Sequence, residues 1–162
     1  MTLLIGYGNP GRGDDGIGPA FAHWAEAQAL PGLTVISDFQ LKVEHAIQIS
    51  EASQVIFVDA CIGADRPVTL EPLAPSPSAR IDSHSLHPST VLGLTQLLFD
   101  ATPPAFILAI AGTSFEMLHD GLSDTAQRNI DIAQTHFLRW FHDAQVTERP
   151  TPVEKGSFPA PG

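Results

Sequence analysis

Leu3-Leu4-Ile5-Gly6-Tyr7-Gly8-Asn9-Pro10-Gly11-Arg12-Gly13-Asp14-Asp15-Gly16-Ile17-Gly18 is the stretch that decides the fold of this chain. The apolar run 3–7 reads as a first strand, and the residues from Ile17 onward read as a first helix. A glycine-rich turn at such a junction commonly holds an anion, because helix N-terminal N–H groups point at it. Here the turn carries two adjacent carboxylates. That reverses the expected partner from a phosphate to a cation.

Working outward, strand-like runs rich in β-branched residues recur at 2–7, 33–37, 54–59 and 105–111. The first, third and fourth are continuously apolar rather than alternating. This predicts burial on both faces, as in a mostly parallel sheet between helices. A weaker strand is expected at 67–72, near an edge, since Pro67 and Pro72 flank it. Helical patterns separate the runs. Ile17, Phe21, Trp24 and Gln28 follow one face of the first helix, and Pro31-Gly32 ends it. A second helix is expected over 41–52. A third opens at Pro88, a good first-turn residue, and is expected to bury Val91, Leu94, Leu97 and Leu98. A fourth has the clearest period, with Ala126, Ile130, Ala133, Phe137 and Phe141 stepping by three and four behind Ser123 as N-cap. The alternation predicts a single α/β domain over 1–146, a three-layer α/β/α sandwich around a mostly parallel twisted sheet. Residues 147–162 hold four prolines and no apolar period, and read as a disordered Pro-rich tail. Residues 72–80 read as an extended Pro/Ser loop.

Composition narrows the partners. The chain has 162 residues, is 43% hydrophobic and only 16% charged, which suits a globular fold rather than disorder. A net charge of −10 argues against nucleic acid, whose phosphates are held by Lys and Arg. It suits a cation or a basic peptide. One cysteine, Cys61, excludes a disulfide framework and a thiolate zinc cage, and fits a reducing cytoplasm. No apolar run approaches the roughly 18 residues that span a bilayer, and no leader is expected.

Open α/β sheets bind ligands beyond the C-terminal ends of their strands, and Asp15 and Asp59 both follow strands closely. Asp14 has an ordinary reading as a helix cap, where the dipole favours carboxylates. A second adjacent acid is not needed for that. Asp59 closes Val55-Ile56-Phe57-Val58. A carboxylate there is costly unless it is hydrogen-bonded or paired with a cation, and pinning of the next loop is the plainer reading. His84 and His87 both precede Pro88 and compete for one role. Asp38, ending the second strand, and Glu116 are candidate walls of the cleft, or turn caps. Cys61 with His84 is a formal nucleophile pair, but a lone small thiol beside a strand is more often packing. The other histidines need only solvated faces.

The pattern Gly8-Asn9, then Asp14-Asp15-Gly16-Ile17-Gly18, resembles the opening motif of the hydrogenase maturation proteases, which trim the C-terminus of the large subunit of nickel–iron hydrogenases. Val55-Ile56-Phe57-Val58-Asp59-Ala60, Ser83-His84-Ser85-Leu86-His87-Pro88 and Gly112-Thr113-Ser114-Phe115-Glu116 match in order, so the resemblance spans about 2–142. It implies the three-layer fold and a metal site of Asp15, Asp59 and His84, with His87 at a variable, exposed position. Many members have Glu where this chain has Asp15, one methylene shorter. It also implies a hydrogenase large-subunit precursor as partner. Nickel would be presented by that substrate, with other divalent metals able to substitute, and the catalytic nucleophile or base is left unassigned. Two carboxylates and an imidazole suit nickel, zinc, iron or manganese, and three ligands leave positions open for substrate donors.

Two other functions share some of these residues. A nickel carrier without protease activity would use the same site. A nucleotide binder is suggested by Gly6-x-Gly8-x-x-Gly11 after a strand, with Asp38 ending the next. Against that reading, Pro10 removes a backbone donor from the cradle, and Asp14 and Asp15 would repel a pyrophosphate.

Overall fold

Strands that are apolar on both faces must be covered on both faces, and the helices here do that. In the computed structural model, which describes residues 1–76 and 86–148, the order is β1 (Thr2–Tyr7), α1 (Ile17–Ala27), β2 (Leu33–Asp38), α2 (His45–Glu51), β3 (Gln54–Ile62), β4 (Val68–Leu73), α3 (Pro88–Phe99), β5 (Ala105–Gly112) and α4 (Asp124–Glu148). The sheet order is β2-β1-β3-β5-β4. All pairings are parallel except β4 with β5. The expected α/β sandwich is present, and the weak strand sits at the edge, where Pro72 is tolerated.

The pleat divides the core. Leu4, Ile56, Val58, Leu108 and Ile110 face α1 and α4, meeting Phe21, Ala25, Ile130 and Phe137. Leu3, Ile5, Val55 and Phe57 face the other way, meeting Ala46 and Ile49 of α2 and Val91 and Leu92 of α3. All five positions that mark the period of α4 are buried. Ser123 caps that helix, its Oγ accepting from Ala126 N–H at 3.1 Å. Helix α4 runs to Glu148, two residues into the segment read as a tail; 149–162 lie outside the described residues.

Three expectations on the elements are corrected. Helix α2 is shorter than 41–52, because residues 42–47 first form i→i+3 turns, with Lys42 N–H also held by His45 Nδ1 at 2.9 Å. In α3, Leu97 and Leu98 are exposed (76% and 57%), because burial stops after Thr95 and the last turn extends past what the helix covers. Asp59 does not end its strand. β3 continues to Ile62 alongside β5, but its pairing with β1 stops at Val58, opposite Gly6.

That difference in length creates the site. β1 leads through α1 to β2 on one side and lies beside β3 on the other, so the chain crosses over in opposite directions around β1. A crevice opens at such a switch point. Gly18 lets α1 sit directly against the strands: a Cβ there would collide with the Tyr7 and Val58 carbonyls.

Candidate metal-reading cleft

The turn between β1 and α1 is built by hydrogen bonds before it is built by side-chain packing. Asn9 Oδ1 accepts from Gly11 N–H (2.9 Å), and Arg12 N–H donates to Asn9 O (3.0 Å). Gly13–Gly16 then form one 3-10 turn ahead of α1. Gly8, at φ +145°, passes so close to the Asp15 carbonyl that a Cβ could not be placed.

Asp14 and Asp15 have opposite fates. Asp14 has no exposed surface. Its Oδ2 accepts from Thr113 N–H (2.7 Å), Ser114 N–H (3.0 Å) and Ser123 Oγ (2.7 Å), and its Oδ1 from Ser123 N–H (2.8 Å). Burial alone would raise its pKa, but these donors from Ser123, Thr113 and Ser114 hold it below the usual carboxylate value. Asp14 therefore fastens the β1–α1 turn to the segment between β5 and α4. Backbone bonds from Gly13 N–H to His119 O and from His119 N–H to Gly11 O lace the same two loops. Of the two readings of Asp14, the structural one holds, with more partners than a helix cap.

Asp15 is half-buried and turns the other way. One oxygen accepts from Asn9 N–H at 2.7 Å. Its carboxylate lines a cleft of about 350 Å³ together with Asp59, Tyr7, Asn9, Arg12 and Leu86. Burial pushes Asp59 above the ordinary carboxylate pKa, and the nearby charge of Asp15 adds to this; a contact with Tyr7, Ala60 N–H and the charge of His87 act against it. Two half-buried carboxylates at one opening repel each other, and a cation between them would remove that cost. The donor set thus fits a divalent metal.

His84 lies outside the described residues. Among the described residues, no three His, Cys, Asp or Glu side chains converge as a metal cage. Leu86, two positions after His84, does line the cleft. His87 is exposed, as expected, and caps α3: its Nδ1 accepts from Ser89 N–H at 3.1 Å. Its charge nonetheless reaches Asp59. The pair separates by experiment. His87→Ala should cost about 1 kcal/mol in stability through the lost cap, with little loss of activity. His84→Ala should show the reverse, few degrees of melting change and most of the activity gone. The opposite pattern in melting curves and turnover would make His87 the third ligand.

The remaining candidates fall beside the cleft or away from it. Asp38 lines an adjoining hollow of about 280 Å³ that shares Gly8 and Phe39 with the main cleft. It is already paired, with Lys42 Nζ at 2.9 Å and His45 Nε2 at 3.4 Å. Although burial would raise Asp38, Lys42 and Phe39 N–H bring its pKa below the ordinary value; burial lowers that of His45. Glu116 is exposed and is not a cleft wall. Cys61 is not among the residues that line the cleft.

Tyr7 is the residue that motif reading passed over. Its hydroxyl is buried and, among the described residues, makes no hydrogen bond of ordinary geometry, although it faces Asp59. The signal was present in the strand period: Tyr7 follows Leu3 and Ile5 by twos, as Asp59 follows Val55 and Phe57.

Comparison with solved structures shows that the three-layer sandwich is shared with proteins named as hydrogenase maturation proteases. The chain is similar to the hydrogenase maturating endopeptidase HybD from E. coli, with TM-score 0.68, 17% identity, and 89% of this chain and 93% of that one covered. It is similar to a hydrogenase 2 maturation peptidase from a Thaumarchaeota archaeon, with TM-score 0.66, 19% identity and coverage of 88% and 98%. It is also similar to the [NiFe] hydrogenase maturation protease HycI from Thermococcus kodakarensis, with TM-score 0.63, 16% identity and coverage of 84% and 89%. No family model matches the sequence, and no curated protein does. Among the described residues, no helix is long and apolar enough to cross a membrane.

Proposed function

We propose that this chain is a cytoplasmic endopeptidase that removes a C-terminal peptide from the nickel-loaded precursor of a nickel–iron hydrogenase large subunit. The observation that carries this reading is the meeting of Asp15 and Asp59 in one cleft at the switch point, in a fold shared with proteins that bear that name. Nickel enters as part of the substrate. Asp15, Asp59 and His84 would hold it through oxygen and nitrogen, leaving its remaining positions to the precursor's own donors.

The chain's own residues act by placement. Asn9 N–H fixes one oxygen of Asp15, which lines the cleft. Asp14 fixes the turn that carries Asp15. Exposed Phe39 at the rim, and exposed Met117 and Leu118 beside the Arg12 turn, offer an apolar border suited to a polypeptide. Held by Asp15, Asp59 and His84, a metal would polarise a carbonyl or activate water at the bond to be cut.

Docking gains from two weak contacts, metal and peptide, made at once. The protein, stripped with a chelator, should therefore shorten nickel-containing precursor and leave nickel-free precursor intact, as read by mass spectrometry. Comparable cutting of both would refute metal recognition. Nickel leaving the precursor with no change of mass would instead identify a carrier. The nucleotide reading loses support from the turn itself, since α1 opens only at Ile17, after both carboxylates.

A further inference from the structure

We infer that Tyr7 is a positioning residue for Asp59: its hydroxyl takes one carboxylate oxygen and leaves the other directed at the substrate's metal. The inference deepens the reading of the cleft given above and rests on it.

The placement follows from register. β1 and β3 are parallel, and Gly6 lies opposite Val58. One step further puts Tyr7 beside Asp59, and neighbours in register share a face of the sheet. That face is the one whose core holds Leu3, Ile5, Val55 and Phe57, against which the Tyr7 ring packs. The ring is thereby fixed by apolar contacts on its body, while its hydroxyl is delivered to the floor of the cleft. Both side chains line that cleft, and Asp15 lines it too.

A buried hydroxyl without a hydrogen bond costs free energy, and natural interiors rarely leave one. Tyr7 is such a case among the described residues. Its nearest polar partner is the carboxylate of Asp59, which accepts, and the phenol O–H can donate to it. A cation settling between Asp15 and Asp59 would take one oxygen of the Asp59 carboxylate. The O–H then has a charged acceptor, and the bond shortens and strengthens. The two oxygens of Asp59 then act separately, one accepting from Tyr7 and the other meeting the metal. Outer contacts of this kind orient ligands, and their loss typically costs about 10- to 100-fold in metal affinity.

Packing does not require the hydroxyl, since Phe keeps the ring that meets Ile5 and Phe57. Tyr7→Phe in the full chain should therefore melt within a few degrees of the wild type. Titrated calorimetrically with Ni²⁺ alone, it should bind about tenfold more weakly or worse. With nickel-loaded precursor, KM should rise by a similar factor while kcat stays within about twofold. Unchanged Ni²⁺ affinity with unchanged KM would overturn the inference. A fall in kcat alone, at wild-type Ni²⁺ affinity, would also overturn it and move the hydroxyl to the reacting carbonyl. Asp59→Asn, measured alongside, separates this from the underlying reading. If that variant still binds Ni²⁺ like the wild type, the cleft does not read metal and both conclusions fall. If it loses binding and Tyr7→Phe does not, only the role of Tyr7 falls.

Discussion

Asp59→Asn should abolish processing of nickel-loaded precursor, by about a hundredfold or more, and should raise the melting temperature at neutral pH. The two effects share one cause. Asp59 sits at the floor of the cleft, where burial and the charge of Asp15 disfavour its ionised form. Its folded pKa is raised, so its contribution to stability is complete below the unfolded value and is lost as pH rises through the folded one. Above the folded pKa the ionised carboxylate is therefore a cost to the fold. Asparagine keeps the shape and removes the charge, and with it the anionic donor to metal. The rise is converted at about 2–4 °C for each kcal/mol in a domain of this size. The gain should shrink as pH falls toward the raised pKa. Melting curves at pH 7 and pH 4.5, beside mass spectrometry of the precursor, check both halves. Wild-type turnover in the variant would remove Asp59 from the site, and a strong loss of stability would make it a structural residue like Asp14.

Asp14→Ala should be the most destabilising single change in the turn, at about 3–5 kcal/mol. Three part-buried backbone N–H groups, of Thr113, Ser114 and Ser123, lose their acceptor at once, and the Ser123 hydroxyl loses its own. Unsatisfied donors cost about 1–3 kcal/mol each, and the total is less than their sum because the loops relax. Ser123 also caps α4, so the damage spreads from the turn into that helix. The pH dependence has the opposite sign to that of Asp59. Asp14 is held below its ordinary pKa, so its contribution is present above about pH 3.8 and is lost as pH falls through the folded value. The wild-type protein should thus lose stability in acid more steeply than the variant. Chemical denaturation at pH 7 and at pH 3 measures the difference. A destabilisation under about 1 kcal/mol at pH 7 would mean that the donors find water instead.

The contrast between Asp14 and the cleft carboxylates marks what can be read from a one-dimensional pattern. Periodicity made the sandwich legible: the runs in β1, β3 and β5 are apolar on consecutive positions because both faces are covered, and α4 steps by three and four because one face is. The turn chemistry was equally local. Glycines around Asp14-Asp15, and Pro88 at the start of α3, act through their own torsion angles. Asp15 and Asp59 could be proposed as partners because both follow closely on runs that read as strands.

What the sequence could not assign depended on residues far away in the chain. The cap reading of Asp14 could not name its partners, which are about a hundred positions downstream, between β5 and α4. Leu97 and Leu98 carry a helical period like the core residues before them, and only the extent of the surface under α3 left them exposed. The strand limits at Asp59 were set by the neighbours, since β1 stops where β5 continues. Tyr7 became a candidate only when register put its hydroxyl beside Asp59. By itself the sequence determined which segments are strands and helices and which faces they bury, because torsional preference and hydrophobic burial are short-range and periodic. The tertiary structure decided which carboxylate is a fastener and which faces the cleft, because desolvation and hydrogen bonding depend on the atoms that folding brings next to a group.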